Sequence, residues 1–240
     1  MRDGAPYRHL GEVKPGGIVC VADHASNHVP DDVDLGIAPE LLDQHIAVDI
    51  GVEAVVEHMA SHHSIPAHLA CQSRLVIDLH REEDHPGLIP EQSDGHLISG
   101  NIGVDREGRL ARFYRPYHNA LEGWLDAAQP SLILSLHSFT PRLATSNEER
   151  PWEVALLYNA DDRAARHAIR FFSQQGLHVG DNQPYSGLDL NATMNRHAEA
   201  YGRPYCAIEV RQDLVATKAE QIRWAGLIAD VASRVALALD

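Results

Sequence analysis

Five short apolar runs set the tightest limit on how this chain folds. They are GIVCVA (17–22), RLVIDL (74–79), SLILSL (131–136), VALLY (154–158) and YCAIEV (205–210). Short continuous runs rich in β-formers are the pattern of strands buried on both faces. AHLAC (67–71) reads as a weaker sixth strand. Between the runs lie segments with apolar residues at helical spacing: 39–60, with Pro39 suited to a first turn; 106–128, which Pro116 should kink or split; 162–175, stopped by Gly176; 193–201, stopped by Gly202; and the alanine-rich 216–239. Strands alternating with helices predict an α/β sandwich around a largely parallel sheet. No repeat, low-complexity tract or clear linker interrupts the 240 residues, so the chain reads as one domain, 1–240.

The charge balance excludes several partners. Lys and Arg number 20 against 34 Asp and Glu, a formal charge of −14, which disfavours nucleic acid and anionic membranes. No apolar run approaches the ~18–20 residues of a membrane helix. The first ten residues, MRDGAPYRHL, are polar and show no secretory leader. Cys20, Cys71 and Cys206 are odd in number, far apart and set in apolar runs, which reads as buried reduced thiols and a cytoplasmic protein. Lys14 and Lys218 are the only lysines, so an anionic ligand would be held by arginines.

The chemistry sits where the apolar runs stop. GIVCVA leads into Asp23-His24-Ala25-Ser26-Asn27, RLVIDL into His80-Arg81, SLILSL into His137-Ser138, and YCAIEV carries Glu209 and precedes Arg211. Open α/β sheets bind ligands beyond the carboxyl ends of their strands. Parallel strands would therefore gather His24, His80, Arg81, His137, Glu209 and Arg211 at one sheet edge. Histidines with carboxylates point to a metal, and Glu209 inside an apolar strand is costly unless paired or catalytic. Two polar connections, 81–105 and 139–151, are too long for plain links and read as functional loops, with a glycine-containing lid near 94–103. His58 and His62 stand four apart but lack the glutamate of HExxH, so they read as a solvated helix face, and His28 reads as a turn residue. There is no GxGxxG, Walker A or GxSxG pattern.

Six blocks in order, DHASNHVP (23–30), AVDIG (47–51), SRLVIDLHR (73–81), LHSFTP (136–141), GDNQPY (180–185) and EVRQDL (209–214), make the chain resemble the N-formylglutamate amidohydrolase family, in its divergent, less characterised branch. The resemblance implies a three-layer α/β/α sandwich with a central mixed, largely parallel sheet, related to the zinc carboxypeptidases. It also implies a hydrolase that cleaves a small anionic N-acyl amino acid such as N-formyl-L-glutamate, a substrate tied to histidine degradation. By the same resemblance Zn2+, or another divalent metal, is held by His24, Asp49 on a helix, and His137. Asn27 stands where carboxypeptidases carry a glutamate ligand. Glu209 matches the general base, and Arg81 the arginine that holds a substrate carboxylate. His80 replaces the family's usual asparagine beside Arg81. Arg74, Arg211 and His197 lie in matching positions as further substrate-binding candidates. The alternatives are a carboxypeptidase-like or other acyl amino acid hydrolase, and a relative that binds metal or ligand without turnover.

Overall fold

The seven-stranded sheet of the computed structural model, which describes residues 5–239, has the order β1-β3-β2-β6-β9-β7-β8. The strands are β1 (Tyr7–Leu10), β2 (Ile18–Ala22), β3 (Ala67–Ala70), β6 (Leu132–Phe139), β7 (Val154–Leu157), β8 (Val179–Asp181) and β9 (Tyr205–Arg211), while β4 (Gln92–Ser93) and β5 (His96–Leu97) form a separate hairpin. The first four residues of the segment read for a leader lie outside the described residues. Neighbours β3, β2, β6 and β9 run parallel, as do β7 and β8; β1 and β7 join antiparallel.

Alternation along the strands builds two cores. Cys20 and Ala22 of β2, Leu132, Leu134 and Leu136 of β6 and Cys206 and Ile208 of β9 pack under α1 (Val52–His62), α4 (Arg163–Gln174) and α6 (Lys218–Leu239). Val19, Val21, Ile133, Tyr205 and Ala207 pack under α3 (Arg115–Ala128) and α5 (Ala192–His197). Helices on both faces of a mixed sheet make the three layers expected. Local chemistry sets the helix ends. Thr217 and Glu220 cap α6 reciprocally, with Thr217 N donating to Glu220 Oε2 at 2.9 Å and Glu220 N to Thr217 Oγ1 at 3.3 Å.

Three expected elements come out differently. Residues 74–79 are not a strand: the run crosses the sheet end as buried turns. Its backbone groups find partners outside any ladder, as Val76 N donates to Ser73 O at 2.9 Å, Asp78 N to Leu88 O at 2.7 Å, and Asn101 Nδ2 to Leu75 O at 2.9 Å. With those groups satisfied, an apolar run can be buried without pairing. The 39–60 helix is broken. A short 3₁₀ turn (Pro39–Asp43) is followed by turns to Gly51, whose φ of 82° ends any helical path, and α1 starts at Val52. A Cβ on Gly51 would strike the Val215 carbonyl and side chain, so this turn is seated on the loop after β9. Residues 106–128 are helical throughout and not split: α2 (Arg106–Arg109), a wide π turn (Leu110–Tyr114), then α3. The wide turn ends two residues before Pro116, which cannot donate to the preceding turn. The edge strands β1 and β8, YRHL and VGD, are too short and polar for an apolar-run criterion to find.

Candidate metal centre

The site is built at the carboxyl ends of β2, β6 and β9. His137 and Glu209 are directly opposite in the β6–β9 register, so both project to the same face. His24 follows β2. Asp49 lies not within a helix but in the turn before α1, because Gly51 starts the helix later. Its backbone N donates to His24 O at 3.0 Å, which fixes it beside the first histidine.

These groups converge. His137 Nδ1 lies 2.9 Å and His24 Nδ1 3.4 Å from the same oxygen, Asp49 Oδ2. One ligand atom from each of the three falls within 4.8 Å of the others. All three residues are buried. His24 Nε2 is 2.7 Å from Asp78 Oδ1. Asp78 is a carboxylate, so Nε2 carries a proton, and Nδ1 is the ring atom left toward the centre, with no well-formed hydrogen bond to it among the described residues. His137 Nε2 is held 3.2 Å from Ser135 Oγ, so Nδ1, 2.9 Å from Asp49 Oδ2, is the atom that faces the shared centre, with a proton on the Asp49 hydrogen bond that a bound metal would displace.

Charge also fits a cation. Asp23, Asp49, Asp78 and Glu209 are all buried, and the guanidinium of Arg74 faces two of them, Asp78 at 2.7 Å and Asp49 at 3.4 Å. Burial works to raise Asp23, but the His80 hydrogen bond and the His80, His137 and His24 charges hold it well below the carboxylate range. Burial likewise acts against Asp49, and His24 and His137 hold it low. Burial and Arg74 push His24 down, but Asp78 and Asp49 outweigh them and lift it to about 9. Burial, then Asp49, pushes Glu209 up to about 8 against the pull of His24, Arg74 and Arg150. Glu209 Oε2 has no hydrogen-bond partner among the described residues. A buried excess of carboxylate with two unpartnered ligand-type atoms is what a divalent cation would neutralise.

A second group, Asp23, His80 and His137, also lies within ligand distance. Its carboxylate is already occupied: Tyr117 OH donates to Asp23 Oδ1 at 2.6 Å, and His80 Nδ1 lies 2.9 Å from Oδ2. Asp23 is therefore a holder of His80 and Tyr117 rather than an open ligand.

The centre lines a pocket of about 240 Å³ together with Arg74, His80, Arg81 and Tyr185. Asp94 ties the pocket rim. It accepts from Ala144 N (2.9 Å), Thr145 N (3.0 Å) and Thr145 Oγ1 (2.7 Å), and lies 3.0 Å from His45 Nε2. The two long polar loops are thus joined over the site. Arg81 Nε is 3.7 Å from Asp78, the loosest of the arginine contacts there. Two candidates lie elsewhere. Arg211 turns to Asp213 at 2.7 Å and to the Pro151 and Trp152 carbonyls. His197 pairs with His118 at 2.9 Å in the core below. Asn27 Nδ2 donates to Asp43 Oδ1 at 2.9 Å, away from the centre. His58 and His62 stack on the exposed end of α1 with ring centroids 4.0 Å apart, and His28 lines a separate cleft.

Sequence reasoning missed Asp78, Tyr185, His45 and Arg150 as individual residues, and marked Asp94 only as part of the lid segment. For Asp78 the signal was present: a carboxylate inside VIDL invites the same question as Glu209 inside AIEV. Tyr185 falls in the GDNQPY block and Arg150 in the 139–151 loop, but nothing local singles out those side chains or His45, and Arg150 meets the pocket only through Tyr185.

The N-formylglutamate amidohydrolase family model matches residues 16–216. Among solved structures, the chain is similar to gene product Atu2144 from Agrobacterium tumefaciens, with 28% identity, a TM-score of 0.89, and 97% of this chain and 95% of that chain covered. It is also similar to N-formylglutamate amidohydrolase from Ralstonia eutropha JMP134, with 24% identity, a TM-score of 0.63, and 96% and 99% covered. A bacteriophage poly-gamma-glutamate hydrolase shares the fold at 10% identity, with a TM-score of 0.50 and 96% and 90% covered. No curated protein matches the sequence.

Proposed function

The chain belongs to the N-formylglutamate amidohydrolase family, and from that premise we propose that it hydrolyses the amide bond of a small anionic N-acyl amino acid, N-formyl-L-glutamate being the simplest case. The observation that carries this reading is the buried convergence of His24, Asp49 and His137, with Glu209 in register beside His137. His24 Nδ1, His137 Nδ1 and the Asp49 carboxylate would hold a divalent metal, by preference zinc. A bound zinc supplies a Lewis acid for the amide carbonyl and lowers the pKa of water toward ~7.

The remaining chemistry belongs to the chain. Glu209 takes the proton of the attacking water and returns it to the leaving nitrogen. The cation that the site accepts also favours the carboxylate form of Glu209, against the burial that raises it. Arg81 offers its guanidinium to the substrate carboxylate, a planar bidentate partner that lysine cannot supply. Arg74 remains bound to Asp49 and Asp78 and fixes their orientation. Asp23 fixes the His80 ring, which borders the substrate.

The test is formate release from N-formyl-L-glutamate, with metal content measured on the same samples. Glu209→Gln should keep its zinc and lose turnover by about 10²–10⁴-fold. His24→Ala and His137→Ala should each lose the metal. Turnover at the wild-type level in Glu209→Gln would remove that residue from the reaction. Zinc bound without hydrolysis of any acyl amino acid would favour a binding protein instead.

A further inference from the structure

Three hydroxyls in the pocket wall already donate to the protein. Ser138 Oγ donates to Ile50 O at 2.9 Å, Thr140 Oγ1 to Arg142 O at 2.8 Å, and Thr145 Oγ1 to Asp94 Oδ1 at 2.7 Å. Ser93 stands on the β4–β5 hairpin at the rim. Tyr185 differs from all of these. It lines the pocket that holds His24, Asp49, His137 and Glu209. Its oxygen accepts from Arg150 Nη1 at 2.9 Å, and among the described residues no protein acceptor takes its proton.

Arg150 has an unusual position. It is 8% exposed, and its contacts are the Thr140 carbonyl at 3.2 Å, the Tyr185 hydroxyl, and the Tyr185 ring, whose centroid lies 4.8 Å from the guanidinium carbon. Among the described residues no carboxylate forms an ion pair with it. A guanidinium that both covers the ring and donates to the phenolic oxygen fixes the ring in place and polarises the O–H bond outward. Burial and the nearby Glu209 raise the phenol's pKa, so the hydroxyl keeps its proton as a donor.

An amide carbonyl under attack by water gains negative charge on its oxygen, and preorganised donors at that place are worth the most. The other strong donors of the pocket have other work: Arg74 holds two carboxylates, His80 Nδ1 faces Asp23 and Thr193, His45 Nε2 faces Asp94, and Arg81, only loosely tied to Asp78, is the guanidinium left for the substrate carboxylate. The geometry points to Tyr185 as a further catalytic residue, its O–H donating to the substrate's carbonyl oxygen as charge develops there, with Arg150 as the positioning residue behind it. This rests on the amide-hydrolysis reading above and adds a second source of charge stabilisation to it.

Tyr185→Phe removes one oxygen and keeps the ring on Arg150. In formate release from N-formyl-L-glutamate, kcat should fall by about 10²-fold or more, with KM and zinc content unchanged. Arg150→Met should lower kcat by less, with zinc retained. If that variant fails to fold, Tyr185→Phe decides alone. A kcat within about threefold of wild type in Tyr185→Phe, or a raised KM with kcat intact, overturns the assignment. A wild-type protein that binds zinc and hydrolyses neither N-formyl- nor N-acetyl-L-glutamate overturns the amide-hydrolysis reading and this inference with it; unchanged turnover in Tyr185→Phe overturns only the inference.

Discussion

Replacing Asp78 by asparagine should weaken metal binding in a way that depends on pH. Asp78 Oδ1 takes the proton of His24 Nε2 at 2.7 Å, and Oδ2 takes Arg74 Nη2 at 2.7 Å. A partner of this kind orients a ligating histidine and is worth about 10–100-fold in metal affinity, or roughly 1.4–2.8 kcal/mol. The same carboxylate helps lift His24 to about 9 against burial and Arg74. Near pH 7 a metal must therefore displace a proton, which costs a few kcal/mol of binding free energy. Asparagine removes the orientation but also loosens that proton. The two effects oppose each other near pH 7, whereas near pH 9 little proton competition is left and the orientation loss stands alone. The assay is zinc competition against a chromophoric chelator at both pH values. The reasoning predicts a 10–100-fold loss near pH 9 and a smaller one near pH 7. An unchanged affinity near pH 9, or a larger loss near pH 7, would refute it.

Other outcomes follow from the same contacts. Burial, and then the neighbouring His9, holds His68 at about 3; burial, and then Arg196, holds His197 at about 4. Unfolded histidines titrate near 6.5, so between that value and the folded one the unfolded state binds more protons and stability falls as pH falls. Each group contributes up to about 1.4 kcal/mol per pH unit in that window. Glu209, held at about 8, acts in the opposite direction over the same range, so the test is a difference: urea unfolding of the metal-free protein from pH 6 to pH 5 should cost the wild type about 1 kcal/mol more than it costs a His68→Leu variant, and an equal change in the two would contradict a neutral buried His68. Gly51→Ala places a Cβ against the Val215 carbonyl at a φ of 82°, which should cost about 1–3 kcal/mol and lower the melting temperature by several degrees. It should also weaken zinc binding through Asp49, two residues away; tight zinc binding at a reduced melting temperature would separate the turn from the site. Asp94→Ala removes the acceptor joining both pocket loops and should raise KM for N-formyl-L-glutamate more than it lowers kcat, which steady-state kinetics would read directly.

The strands that carry the site were legible because burial on two faces leaves a plain apolar signature. β2 and β9 match their runs to within a residue and β6 extends its run by three residues to Phe139, and His24, His137 and Glu209 stand at or near their ends. The same signature misled at 74–79, where side chains and turns satisfy the backbone in place of a ladder. Burial alone cannot separate those cases. The resemblance puts Asp49 on a helix, and the helical spacing of 39–60 does not speak against it; the positive φ of Gly51 that ends the pattern depends on its seat against Val215, a contact 164 residues away in sequence. Loop residues such as Asp94, Arg150 and Tyr185 gain their roles only when distant segments meet, so no periodicity marks them.

The central claim is that His24, Asp49 and His137 form one metal centre. An anomalous-difference map at the zinc edge, from crystals of the zinc-loaded protein, tests it most directly. The account predicts a single strong peak among His24 Nδ1, His137 Nδ1 and the Asp49 carboxylate, at the ~2.0–2.2 Å expected of zinc ligands. A peak held instead by Asp23 and His80, or zinc bound only away from the pocket, would contradict it.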